Sequence, residues 1–129
     1  MNGRVLIVHA AAIMRMMVRD SLAAQGYEIV GQAQNGIEAV EQYRALLPDV
    51  VTIDMILPEL DGVGAIRAIV AEFPRASIIV CTSVGEPAVI VAAMQAGAKA
   101  FVTKPFGPAK LVDSVDKVLG ACTPAPAII

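Results

Sequence analysis

Asp54 ends the apolar run Val50-Val51-Thr52-Ile53, so its carboxylate projects from the carboxyl end of a buried strand. Removing a carboxylate from water there costs free energy unless a partner or a reaction requires it. Two more polar side chains close apolar runs later in the chain: Thr82 follows Ser77 to Cys81, and Lys104 follows Ala100 to Thr103. Lys104 offers Asp54 an ammonium counter-ion, and the plainest chemistry of the two is a structural ion pair, itself weak evidence for stability. Thr82 taken alone is a strand-end hydroxyl of the kind that backbone groups commonly satisfy. His9, the one histidine, follows the first apolar run and sits where it can reach Asp54. Three readings of it compete. It is a polar strand-end residue with no specific task, or a protonated imidazole paired with Asp54. In the third reading it joins Asp54 as a ligand for a softer ion such as Zn²⁺, although two ligands make a poor site.

Positioning these side chains falls to a regular alternation. Apolar runs of about five residues recur at Arg4 to Val8, Tyr27 to Val30, Val50 to Ile53, Ser77 to Cys81 and Ala100 to Thr103, with helix-length segments between them. Met14, Met17, Val18, Ser21 and Leu22 stand at helical spacing, with Arg15 and Arg19 on the other face, and Gly26 ends that helix. Met14, Met16 and Met17 are expected in core packing rather than around a cofactor. Asn35-Gly36 opens a second helix that Pro48 stops, and Asp61-Gly62 opens a third that Pro74 stops. Pro87 begins a fourth that Gly97 closes, and Pro108 starts a fifth running to about Leu119. Such β-α alternation implies a parallel sheet with right-handed crossovers and chemistry at the carboxyl ends of its strands. Those ends fall at residues 9–12, 54–58, 82–85 and 104–106.

Composition agrees with an α/β fold. Hydrophobic residues make up 57% of the 129 residues and charged ones 17%, which suits strands covered on both faces. The length fits one domain, expected over residues 1–120, with the Pro-rich stretch 121–129 as a flexible tail or linker stub. A net charge of -2 without a basic cluster argues against nucleic acid and anionic membrane as partners. No leader pattern opens the chain and no run is long enough to span a bilayer, so a cytoplasmic protein is expected, with Cys81 and Cys122 as free thiols.

The stretch Asp54-Met55-Ile56-Leu57-Pro58-Glu59-Leu60-Asp61-Gly62, the strand end Cys81-Thr82-Ser83, Gln95-Ala96-Gly97-Ala98 and the strand end Lys104-Pro105-Phe106 together resemble the receiver domain of two-component response regulators. The resemblance covers roughly residues 4–119 and is nearest to the single-domain chemotaxis, CheY-like type. It implies a three-layer (βα)5 flavodoxin-like fold with a five-stranded parallel sheet of order 2-1-3-4-5. It also implies a phosphorelay role, with Asp54 as phosphoacceptor attacking the phosphoryl group of a histidine kinase or other phosphodonor. By the same resemblance Lys104 neutralises a phosphoryl oxygen and Thr82 donates a hydrogen bond to it, with Ser83 leaving room for the movement. Phe101, a core aromatic by default, resembles the switch aromatic that turns inward, and the bond before Pro105 is cis in the family. Mg²⁺ is the cofactor the family implies, with Asp54 and the backbone carbonyl of Ile56 among its ligands. No enzyme activity is implied beyond phosphoryl acceptance and slow self-dephosphorylation.

One departure bears on all of this. Receivers carry two consecutive acidic residues after the first strand, where this chain has His9-Ala10. Mg²⁺ wants oxygen ligands in an octahedron. At an effective dielectric of about 20 each lost carboxylate is worth at most ~4 kcal/mol, and half of that weakens binding roughly tenfold to a hundredfold. A protonated His9 would then substitute for the missing cation. Ile56 and Val84 stand where the family places side chains that govern hydrolysis, and neither orients a water, so a phosphorylated form is expected to be long-lived. The fourth helix, Pro87 to Gln95, is apolar all round. Either its alanines leave a mildly apolar surface, or it joins the last strand and fifth helix as a face for a protein target or for self-association. The alternative to a phosphorylation switch is a pseudo-receiver, a protein-protein interaction module that works without phosphate.

Overall fold

In the computed structural model, which describes residues 3–83, 87–104 and 107–121, strands and helices alternate throughout. They are β1 (Arg4–Val8), α1 (Ala12–Ala23), β2 (Glu28–Ala33), α2 (Gly36–Leu46), β3 (Val50–Asp54), α3 (Gly62–Glu72), β4 (Ile78–Ser83), α4 (Pro87–Ala96), β5 (Ala100–Lys104) and α5 (Pro108–Ala121). All strand pairs are parallel, in the order β2-β1-β3-β4-β5, as the resemblance implied.

Both faces of the sheet are covered, which is why the central strands read as unbroken apolar runs. Along β1, Val5 and Ile7 face one way and join Val18 and Leu22 of α1 and Leu111 and Val115 of α5. Leu6 and Val8 face the other way and join Ala39 and Tyr43 of α2, Ala65, Ile66 and Ile69 of α3, and Ala93 of α4. Two cores therefore sandwich one sheet, each filled by alternate residues of the same strands.

Capping fixes where the helices begin. The Asn35 side chain accepts from the Glu38 N–H at 2.8 Å, and Glu38 reaches back to the Gln34 N–H at 3.2 Å. Asp61 accepts from the Gly64 N–H at 2.8 Å in the same way. Gly97, at φ 125°, takes the left-handed turn after α4 that a side chain would resist.

Several expectations need correction. The second strand starts at Glu28 and continues to Ala33, past the apolar run, because it lies at the sheet edge where Gly31 and Gln32 need cover on one side only. Ladder pairing likewise carries β4 to Ser83 and β5 to Lys104, and α5 runs on to Ala121. Met17 is not a core residue: it is 52% exposed beside equally open Met16, since Val18 and Leu22 fill the seam against α5. Phe101 is not a core aromatic either; it stands 47% exposed on β5. Arg15, expected on the solvent face, is half-buried and turns back over the end of β1. The tail residues 122–129, Cys122 among them, lie outside the described residues.

Candidate functional site

Between β1 and β3 the chain order reverses, since β1 leads to β2 on one side and β3 lies on the other. A crevice at the carboxyl ends of the strands is expected at such a switch point. Val8 pairs with Ile53, so His9 and Asp54 are the next residues outward on the two adjacent strands. The His9 N–H is still tied to the sheet, donating to the Ala33 carbonyl at 3.1 Å.

The two side chains meet there. His9 Nδ1 lies 3.8 Å from Asp54 Oδ2, with the imidazole fully buried and the carboxylate 16% exposed. That separation is ion-pair distance if the ring is protonated but too long for a direct hydrogen bond. Neither His9 nitrogen has a hydrogen-bond partner among the described residues. A buried imidazole with both nitrogens unmatched is costly, which weighs against a strand-end residue without a task.

Arg15 adds a charge that the sequence reading missed. Its guanidinium donates to the His9 carbonyl at 2.7 Å and to the Ala10 carbonyl at 3.1 Å, fixing the backbone where β1 gives way to α1. Arg15 stands six residues after His9, one helical turn into α1, where a long side chain can fold back, but its helical spacing assigned it to the solvent face. Thr52 was also passed over. It is fully buried with its hydroxyl unpartnered among the described residues, and the sole hint was one polar residue in an apolar run.

Around the rim, Asp54 pairs with Cys81 and Thr82 with Thr103 in the sheet register, which sets the buried Thr82 one residue beyond Asp54's neighbour. Lys104 ends β5 opposite Ser83. The side chains of Ser83 and Lys104 lie outside the described residues, as do Val84 and Pro105. Ile56 is 79% exposed, and its N–H sits 3.5 Å from Asp54 Oδ1, a weak contact. Phe101 borders a shallow groove with Thr103, Lys110 and Ser114.

Gly62 holds the loop after β3 against the site. Its N–H donates to the Met55 carbonyl at 3.0 Å. A Cβ added there would fall 2.6 Å from the Asp54 carbonyl oxygen and 2.7 Å from Met55 Cα. Only glycine lets α3 start this close to the backbone that carries Asp54.

The donor set does not suit Mg²⁺. Position 9 offers nitrogen, position 10 a methyl group, and the carbonyls of both are already engaged by Arg15. A hard octahedral ion needs several oxygens, and one carboxylate with a loop carbonyl is short of that. Zn²⁺ fares little better, because among the described residues no three His, Cys, Asp or Glu side chains gather to hold a metal.

With that geometry in place, likeness to known proteins is informative. The family model described as the response regulator receiver domain matches residues 5–116. Chemotaxis protein CheY of Thermotoga maritima is 49% identical over 118 residues, spanning 92% of this chain and 98% of that protein. Chemotaxis protein CheY of Bacillus subtilis is 43% identical over 119 residues, spanning 92% and 99%. Among solved structures, the response regulator domain of Thermotoga maritima CheB superposes with a TM-score of 0.84 at 33% identity, covering 91% of this chain and 96% of that one.

Proposed function

The chain belongs to the response regulator receiver-domain family, and from that premise we propose that Asp54 accepts a phosphoryl group and that the domain signals in a chemotaxis-type two-component system. Phosphorylation on aspartate is the family mechanism, and CheY-like receivers are signalling domains rather than enzymes. The observation that carries the proposal is the Asp54 carboxylate, 16% exposed at the end of β3 where the sheet order reverses. A nucleophile there is open to an incoming phosphodonor on one side and held by the sheet on the other.

In this reading a histidine kinase supplies the phosphoryl group in the cytoplasm. Lys104 neutralises one phosphoryl oxygen, Thr82 donates to another, and Phe101 turns inward as Thr82 shifts. Signalling runs through α4, β5 and α5, where Val91 and Met94 already present apolar surface to a protein target or a second copy. The receiver reaches at least to Ala121, where α5 ends, one residue past the expected boundary at 120. Receivers generally bind Mg²⁺, but with His9 and Ala10 at the end of β1 this one binds it weakly. Ile56, exposed and apolar, does not orient a hydrolytic water, so the phosphorylated form decays slowly. Phosphate release complete within seconds would contradict that.

Incubation with acetyl phosphate followed by intact-mass spectrometry tests the proposal. Wild type gains the mass of one phosphoryl group and Asp54→Asn does not. The orphaned imidazole beside Asp54 supports a second reading, a pseudo-receiver whose site is permanently neutralised and which binds partners without phosphate. Under that reading wild type stays unmodified under every condition.

A further inference from the structure

From the buried, unpartnered imidazole that faces Asp54, we infer that His9 replaces the divalent metal, donating a hydrogen bond to the phosphoryl oxygen so that transfer onto Asp54 proceeds without a metal ion. The inference rests on the reading of Asp54 as phosphoacceptor. Phosphoryl transfer asks little covalent chemistry of a protein; it asks for positive charge or donors where the equatorial oxygens carry negative charge. At this site the carboxylates that would recruit an external cation are absent, and a nitrogen donor stands in their place.

The geometry suits an oxygen that is not yet present. The 3.8 Å between Nδ1 and Oδ2 is too wide for a direct bond. A phosphoryl oxygen attached through phosphorus to Asp54 can lie about 2.8 Å from Nδ1, the ordinary length of a charge-assisted N–H···O contact. Burial removes water from the competition, so a donor there counts for more than on the surface. The ring has no other partner among the described residues to give up before it binds the oxygen. Arg15 acts on the same end of β1 as a positioning residue. By clamping the carbonyls of His9 and Ala10 at 2.7 and 3.1 Å it holds the His9 backbone, and with it the ring, in place.

With acetyl phosphate as donor the step balances simply. An Asp54 carboxylate oxygen forms a bond to phosphorus, the bond from phosphorus to the acetyl oxygen breaks, and acetate leaves with the electron pair. No electrons change hands and His9 keeps its proton, so either the neutral Nδ1–H tautomer or the imidazolium serves.

The test is acetyl phosphate labelling followed by intact mass, with EDTA and with Mg²⁺, on wild type, His9→Leu, His9→Gln and Asp54→Asn, each checked for folding by circular dichroism. Wild type is expected to label at similar rates in EDTA and in Mg²⁺. His9→Leu, which keeps bulk but no donor, loses at least about tenfold in EDTA, and His9→Gln, which keeps an N–H, retains part of the rate. On phosphorylation the wild-type His9 ring ¹⁵N resonance shifts. Labelling of wild type that EDTA abolishes, or of His9→Leu at the wild-type rate in EDTA, overturns the inference and leaves the phosphoacceptor reading standing. No labelling of wild type in either condition, or labelling of Asp54→Asn, overturns that reading and the inference with it. Should both His9 variants fail to fold, the wild-type comparison between EDTA and Mg²⁺ decides together with the ring ¹⁵N resonance, and a His9 resonance that does not move on phosphorylation overturns the inference.

Discussion

Restoring the acidic pair, by His9→Asp together with Ala10→Asp, is expected to create an Mg²⁺ site where wild type has a poor one. His9 Nδ1 already lies 3.8 Å from Asp54 Oδ2. Neighbouring oxygens of an Mg²⁺ octahedron with bonds of 2.0–2.1 Å sit about 3 Å apart, so a carboxylate at position 9 needs only a small approach to share an ion with Asp54. Two charges 4 Å apart at an effective dielectric of about 20 interact by ~4 kcal/mol. Allowing half of that for each restored carboxylate, after desolvation, gives ~4 kcal/mol for the pair, or roughly a thousandfold in affinity. Without metal the variant crowds three carboxylates together and loses stability. At Mg²⁺ a hundredfold above its dissociation constant it regains about 2.7 kcal/mol, which for a chain of this length raises Tm by roughly 10 °C. Thermal unfolding with and without Mg²⁺ measures the shift, and calorimetric titration measures the affinity. A wild-type protein that binds Mg²⁺ as tightly as the double variant would refute the reasoning, since it would mean the end of β1 does not govern the metal.

Gly62→Ala drives a methyl group against the backbone of Asp54 and Met55, with no flexible side chain to yield; a loss of about 1–3 kcal/mol in urea unfolding is expected, with slower labelling of Asp54. Thr52→Val removes a buried hydroxyl that has no hydrogen-bond partner among the described residues, so it should be neutral or stabilise by up to ~1 kcal/mol, and a clear destabilisation in urea unfolding would contradict this. Tyr27 is buried and its hydroxyl donates to Asp116 Oδ1; burial first, and the Asp116 bond and charge after it, raise its pKa above the ordinary value of 10.0. Its protonated form is therefore favoured by folding, and the stability it contributes is present below its unfolded pKa and lost as pH climbs through the higher folded one. Tyr27→Phe should cost about 1 kcal/mol at neutral pH, a difference that closes only under strongly alkaline conditions in pH-dependent urea unfolding.

Much of the architecture could be read from the chain because a parallel sheet buried on both faces writes its strands as apolar runs, and because Pro48, Pro74, Pro87, Gly97 and Pro108 punctuate the helices. The edge strand β2 was harder, since partial cover lets Gln32 continue a strand that hydropathy ends. Asp54 and Thr82 were legible as polar residues that close such runs. Arg15 was not, because helical periodicity assigns a face to a side chain and says nothing of a guanidinium folding back on carbonyls. Met17 misled for the related reason that helical spacing alone does not say where the stripe facing the core ends, and here Val18 and Leu22 occupy it. His9 was visible as a residue within reach of Asp54. Its complete burial, with both ring nitrogens unmatched among the described residues, is a product of the tertiary fold, which no local pattern encodes.

The central claim is that Asp54 receives the phosphoryl group. Borohydride reduction of the labelled protein converts an aspartyl phosphate to homoserine, and peptide mapping then locates it. Homoserine at position 54 and at no other aspartate is the predicted result. Homoserine elsewhere, or none from a protein that carries the phosphoryl mass, would contradict the account.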